Sequence, residues 1–157
     1  MKEKIMKTIA PSRLLRNAFI ADAAASGAIA ALHLLISGEQ AGSMAATLGL
    51  PVPLLEGTGI FLALYALLLV VLARSRAVWS ALAWFIVLGN VGWAALSGVL
   101  LATGVLAPAP LGVAYVIVQA LGVLVFAGIE WRGVQVSLPT ARPSARAREG
   151  LAGGHAG

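Results

Sequence analysis

The side chains able to do chemistry in this chain lie within long apolar runs. Asp22 lies in the first run, Asn90 in the third, and Gln119 and Glu130 in the fourth. A carboxyl group surrounded by hydrocarbon must be paired, hydrated or protonated, so Asp22 and Glu130 could form the walls of a proton or cation site. Asp22 has a structural alternative: an acid near the positive end of a helix dipole, hydrogen-bonded to its neighbours or paired with Arg16.

Polar and small side chains recur at helical spacing, which places them on single faces of their helices. The first run carries such a face: Asp22, Ser26, Ala30, His33 and Ser37. The third and fourth runs carry two more: Ala83, Ile86, Asn90, Trp93 and Ser97, then Tyr115, Gln119, Gly122, Phe126 and Glu130. Because lipid-facing positions must be apolar, these faces should meet inside a helix bundle.

Three polar side chains should lie at similar depth. At ~1.5 Å per residue, Asn90 and Gln119 lie ~20 Å and Tyr65 ~17 Å from the arginine that flanks each run. Asn90 and Gln119 could hydrogen-bond across helices as structural contacts, or they could line a site for a small ligand. The candidate interior site comprises Asp22, Ser26, His33, Tyr65, Asn90, Trp93, Gln119 and Glu130.

No enzyme motif is recognisable in the sequence. It has no cysteine, which excludes disulfides, thiol catalysis and iron–sulfur ligation, and it shows no nucleophile–base pair, phosphate-binding loop or zinc motif. Haem ligation by His33 would usually need a second axial residue, so a hydrogen-bonded core histidine is favoured. We therefore predict no catalytic residue, no cofactor and no metal. We also expect five glycines to be close-packing positions between helices: Gly27, Gly89, Gly92, Gly122 and Gly128.

The composition indicates a membrane protein. Hydrophobic residues make up 60% of the 157 residues and charged residues only 11%, whereas soluble domains have about 25% charged residues. The apolar runs predict four spans, at residues 18–37, 54–73, 77–102 and 111–131. The first run could instead be a cleaved signal peptide, but its length and its polar residues favour a retained span. The segment 38–53 should be a loop with a short helical turn over residues 41–48, and 103–110 a neutral turn.

The charges predict an orientation. All eleven Lys and Arg residues lie in a leader at 1–17, in the turn at 74–76, or from 132 onward. With four spans, these regions share one side of the membrane, so both termini should be cytoplasmic. The net charge of +5 does not indicate nucleic-acid binding, because the basic residues flank spans and would contact lipid headgroups.

Several short motifs resemble a group of small four-span bacterial membrane proteins that carry no assigned activity. They are Leu48-Gly-Leu-Pro51, Gly59, Tyr65-Ala66, Asn90-Val-Gly-Trp93, Gln119-Ala120 and Phe126-Ala-Gly-Ile-Glu130. The resemblance covers roughly residues 19–133, agrees with the span count and implies no catalytic residues. Small multidrug-resistance exporters also have four spans and an acid in the first, but they are shorter and many have a weak charge bias, whereas the bias here is complete.

Together these observations predict an all-α fold. It is a four-transmembrane-helix bundle, up-down-up-down, in a bacterial inner membrane, with a basic leader and a disordered basic tail at residues 134–157. The expected function is an accessory, scaffold or small-ligand-binding membrane subunit without enzymatic activity. The alternative is a proton- or cation-coupled small-solute carrier or channel that uses Asp22 and Glu130. Expected partners are the lipid bilayer and either a second copy of the chain or another membrane protein.

Overall fold

A computed structural model describes residues 8–35 and 39–138. The leader before residue 8, Ser37 on the first polar face and the tail after residue 138 lie outside the described residues. The elements, in chain order, are β1 (Thr8–Ile9), α1 (Arg13–Leu35), α2 (Glu39–Leu48), α3 (Val52–Arg74), β2 (Val78–Trp79), α4 (Ser80–Ala102) and α5 (Pro110–Ser137).

Four of these helices, α1, α3, α4 and α5, are long and apolar enough to cross a membrane. Three have 23 residues and α5 has 28; at ~1.5 Å per residue even the shorter ones exceed a hydrocarbon core of ~30 Å. The prediction of four long apolar helices is therefore confirmed. This pattern is typical of a multi-pass membrane protein. The fifth helix, α2, extends the predicted short turn to ten residues.

Two helices begin at residues other than the predicted ones, because a capping group or strand pairing sets the first residue of the helix. α1 begins five residues early because the Ser12 hydroxyl accepts a hydrogen bond from the backbone N–H of Leu15 at 3.2 Å, as an N-cap does. α4 begins three residues late because Val78–Trp79 pairs antiparallel with Thr8–Ile9. This short sheet, with two strands of two residues each, is the one departure from the predicted all-α fold among the described residues.

α5 continues well beyond its predicted end at residue 131. Gly133 and Val134 are buried, and Gly133 lies so close to α1 that a Cβ built there would be 2.8 Å from Leu15 Cα. The helix ends at Ser137, where the next residue adopts an extended backbone before Pro139. Glu130 therefore lies two turns inside its helix, not at the end.

The helices pack in a definite order. α1 packs against α3 and α5, and α5 also packs against α4, whereas α3 and α4 are not closely packed. A core lies near the β1–β2 end and includes the fully buried Leu15, Phe19, Leu69, Ile86 and Val134. A smaller core holds α2 against its neighbours through Ala45, Leu48, Leu50 and Leu55.

Close helix packing uses glycines other than those predicted. A Cβ at Gly59 would be 2.9 Å from His33 Cβ, and one at Gly112 would overlap the carbonyl oxygen of Leu48. By contrast, a Cβ at Gly89, Gly92, Gly122 or Gly128 would meet no heavy atom within 4 Å, and one at Gly27 would make only ordinary contact. The prediction is wrong for Gly89, Gly92, Gly122 and Gly128, because composition shows which residues are small but not which helix faces them, whereas Gly27 does face Ala66 of α3.

Candidate functional site

Asp22 lies at the centre of α1, with a relative exposure of 1%. Its Oδ1 accepts a hydrogen bond from the Ser26 hydroxyl, one turn later, at 3.0 Å. Asp22 is nine residues into the helix, or ~13 Å from its start. The helix dipole acts mainly within the first turn, so the dipole does not account for a carboxyl at this depth.

Asn90 on α4 connects three other helices. Its Nδ2 donates to Asp22 Oδ2 at 3.1 Å and to Glu130 Oε2 at 3.0 Å. The Tyr65 hydroxyl on α3 lies 2.9 Å from Asp22 Oδ2 and 3.1 Å from Asn90 Oδ1, and it can donate to either. Asp22, Ser26, Tyr65, Asn90 and Glu130 therefore form one hydrogen-bond network, here called the acid network.

The acid network has more acceptors than hydrogens. Its neutral donors supply four hydrogens: one each from Ser26 and Tyr65 and two from the Asn90 amide. These serve Asp22 Oδ1 and Oδ2, Glu130 Oε2 and Asn90 Oδ1. Glu130 Oε1 is buried and has no hydrogen-bond partner among the described residues. Two charged carboxylates here would carry two negative charges on neutral donors only, which is costly in a low-dielectric interior.

Arg16 does not act as the counter-ion of Asp22. Its guanidinium nitrogens donate to the backbone carbonyls of Pro11, Ala73 and Ser75, at 3.0–3.3 Å. Arg16 thus holds the last carbonyls of α3 and the chain before α1, and the interpretation of an Asp22–Arg16 pair is wrong. The reason is local, because unsatisfied carbonyls at the helix end are close and point at the side chain.

A cavity of ≈ 500 Å³ lies against the acid network, between α3 and α4. Asp22, Tyr65 and Asn90 form its polar wall, whereas Glu130 lies behind them and does not line it. Its outer edges include Phe61, Leu64 and Phe85, which are 51–67% exposed. These exposed edges are apolar and lie on helices that are long enough to cross a membrane, so the cavity opens onto the apolar outer surface of the helices.

His33 forms a separate polar group on α1. Its Nδ1 lies 3.1 Å from the Thr58 hydroxyl and its Nε2 lies 2.6 Å from the Tyr115 hydroxyl. Both ring nitrogens therefore have partners, as in a hydrogen-bonded core histidine. No cluster of three His, Cys, Asp or Glu side chains able to hold a metal ion occurs in residues 8–35 and 39–138.

A second cavity of ≈ 250 Å³ adjoins His33. Trp93 and Gln119 line both cavities and therefore separate them. The Gln119 amide nitrogen is buried with no hydrogen-bond partner among the described residues. The expected Asn90–Gln119 hydrogen bond is not formed: both Asn90 amide hydrogens go to carboxylates, and the Gln119 amide nitrogen does not donate to Asn90 Oδ1.

The eight predicted site residues thus fall into three places. Five belong to the acid network, His33 lies beside the second cavity, and Trp93 and Gln119 lie between the two cavities. Sequence periodicity placed the cavity-lining Phe126 on an interior face, but it gave no indication of Thr58, the partner of His33, or of Phe61 and Phe85, which also line the larger cavity. An isolated threonine or phenylalanine in an apolar run gives no signal of this kind.

No protein-family model matches the chain, and neither a curated protein nor a solved structure is significantly similar to it. Function must therefore be inferred from the geometry of the site.

Proposed function

We propose that this chain is an integral membrane protein that binds a small ligand in the cavity between α3 and α4. The observation that carries the proposal is the wall of that cavity, where Asp22 and Asn90 face an apolar space of ≈ 500 Å³. Ligand sites typically have this form and size: an apolar cleft of ~300–1,000 Å³ with few polar groups at fixed positions.

The proposal also includes the location of the protein and its orientation in the membrane. The spans alternate in direction through a bacterial inner membrane, and both termini face the cytoplasm, because all Lys and Arg residues lie in regions that four spans place on one side. Two residues of α1 support its retention as a membrane span, since Asp22 and Ser26 supply part of the acid network. A cleaved signal peptide would remove them.

Blocking the cavity tests the proposal directly. A leucine at Gly89 would project from the cavity lining, and its Cβ would meet no heavy atom within 4 Å. Gly128 has equally open surroundings but does not line the cavity. Native mass spectrometry of protein extracted in mild detergent should show small-molecule adducts on the wild type and Gly128→Leu, and not on Gly89→Leu. Identical adducts on both variants, or none on the wild type, would favour an accessory or scaffold role.

A proton- or cation-coupled carrier is the second candidate, and the hydrogen count of the acid network favours it. A fifth hydrogen, held by the Asp22–Glu130 pair as a whole, would remove one of the two buried charges. On Glu130 it could occupy Oε1, which has no hydrogen-bond partner among the described residues. Uptake and release of that proton could then be coupled to ligand movement through the adjoining cavity.

Infrared spectroscopy can detect this proton. The carbonyl band of a protonated carboxyl group should be present in the wild type and absent from both Asp22→Asn and Glu130→Gln. It should be unchanged in Glu56→Gln, which neutralises an exposed acid outside the acid network. A wild type without that band would refute the shared proton. In proteoliposomes, Asp22→Asn should abolish solute transport that is coupled to a proton or cation gradient, and Glu56→Gln should not.

A further inference from the structure

The polar wall of the larger cavity offers charge more than hydrogen-bond acceptors. Asp22 lines the cavity, but its two oxygens already face three donor groups, from Ser26, Tyr65 and Asn90. A carboxylate has about four lone-pair positions; two are used by Ser26 and Asn90, and a third whenever Tyr65 donates here and not to Asn90 Oδ1, so at most two remain for a ligand N–H. The negative charge of Asp22 can still attract a cation, because no described Lys or Arg side chain hydrogen-bonds to it.

Five aromatic side chains line the cavity among aliphatic ones. Tyr65, Phe61 and Trp93 stack in a row, with ring centroids 6.2 and 5.5 Å apart and interplanar angles of 7° and 1°. Phe85 and Phe126 also line the cavity. Aromatic faces attract cations without needing a hydrogen on them, which is how proteins bind quaternary ammonium groups.

The cavity also contains one donor without a partner. The Gln119 amide nitrogen is buried, lines the cavity and makes no hydrogen bond among the described residues. An unpaired buried donor is costly, so a ligand that places an acceptor such as an ether or carbonyl oxygen there would be favoured. The exposed apolar edges of the cavity favour an apolar ligand body that arrives from the lipid.

We propose that the cavity between α3 and α4 binds organic cations whose nitrogen carries no hydrogen, that is, quaternary ammonium compounds with an apolar body that enter from the bilayer. This inference rests on the proposed function and specifies its ligand class. Asp22 supplies the charge, and the aromatic side chains that line the cavity supply the ring faces.

Binding of radiolabelled benzyltributylammonium to the full chain in lipid nanodiscs tests the proposal. Trp93→Leu should weaken binding about tenfold or more, whereas the exposed Trp131→Leu should not change it. Asp22→Asn should abolish binding and Glu56→Gln should not. Trp93→Leu leaves the acid network intact, so the test remains decisive if Asp22→Asn fails to fold.

Two competitors define the ligand class. The uncharged isostere benzyltributylsilane should compete at least tenfold less well than the unlabelled quaternary compound, as should the tertiary amine benzyldibutylamine. Equal competition by the silane would overturn the inference about charge, and equal competition by the amine would overturn the requirement for a nitrogen without hydrogen. In both cases the proposed cavity would stand.

The cavity variants separate failure of the ligand class from failure of the site. Gly89→Leu should abolish binding and Gly128→Leu should retain it. If the wild type binds no quaternary ammonium but still carries adducts that Gly89→Leu loses, the ligand class is wrong and the proposed function stands. If both glycine variants bind the cation alike, binding occurs elsewhere and both proposals fail.

Discussion

Replacing Asn90 by leucine should destabilise the bundle more than any other single change in the acid network, because Asn90 joins α4 to three other helices. The two side chains are similar in size, so the substitution removes hydrogen bonds with little change in volume. Asn90 is only 4% exposed, so solvent compensates little for the lost contacts. The change removes both donors to the carboxyl groups and one acceptor for Tyr65.

The expected loss follows from these three bonds. Hydrogen bonds between transmembrane helices contribute ~0.6 kcal/mol each on average and up to ~1.7 kcal/mol. Three of them give roughly 2–5 kcal/mol, and the upper part of this range is favoured because the change leaves Glu130 without its described hydrogen-bond donor. We therefore expect the free energy of unfolding to fall by about 3 kcal/mol.

Equilibrium unfolding in mixed micelles, with dodecyl sulfate as denaturant and circular dichroism as readout, measures this loss. Asn17→Leu is the matched control, since Asn17 is exposed near the start of α1 and its replacement should change stability by less than about 0.5 kcal/mol. A double-mutant cycle with Tyr65→Phe should show coupling, because the two side chains share a hydrogen bond. An Asn90→Leu variant as stable as Asn17→Leu would refute the reasoning that the acid network holds the helices together.

Three further predictions concern packing and capping. Gly133→Ala should lower stability by about 1–3 kcal/mol because its methyl group would lie 2.8 Å from backbone of α1, whereas Gly128→Ala, in open surroundings, should cause no loss in the same unfolding assay. Arg16→Met removes three hydrogen bonds to backbone carbonyls and should cost about 2 kcal/mol, against less than about 0.5 kcal/mol for the exposed Arg13→Met; equal losses would refute the capping role. Tyr115→Phe should cost about 1 kcal/mol and shift the imidazole resonances of its histidine partner in NMR spectra, and unchanged resonances would contradict the 2.6 Å hydrogen bond.

Part of the candidate site could be anticipated from helical periodicity. Asp22, Ser26, Ala30 and His33 are all buried on one face of α1, as their spacing indicates for a helix in a bundle. Periodicity works here because each of these residues must avoid lipid whichever helix it meets. Periodicity does not show which residue of another helix will be the hydrogen-bond partner. The Asn90–Gln119 bond, which was expected but is not formed, is an example.

Depth along the membrane normal is poorly predicted by the distance from flanking charges. Distances counted from flanking arginines place Asn90 at a depth of ~20 Å. Asp22 lies only six residues after Arg16 and Glu130 only two before Arg132, yet Asn90 hydrogen-bonds to both. The count assumed that each helix begins at its nearest charge. Strand pairing delays α4 to Ser80, and burial of Gly133 extends α5 to Ser137, so the polar residues lie closer in depth than their charges suggest.

The sequence by itself determined that four helices are long and apolar enough to cross a membrane, because an apolar run of about 20 residues has few other stable environments. It also determined which side chains must turn away from lipid. Only the tertiary structure decided that Asp22 and Glu130 meet through one amide, that Arg16 binds carbonyls instead, and that a cavity remains between α3 and α4. These features depend on which helices pack closely and at what register, and such contacts between distant parts of a chain are not encoded in any local pattern.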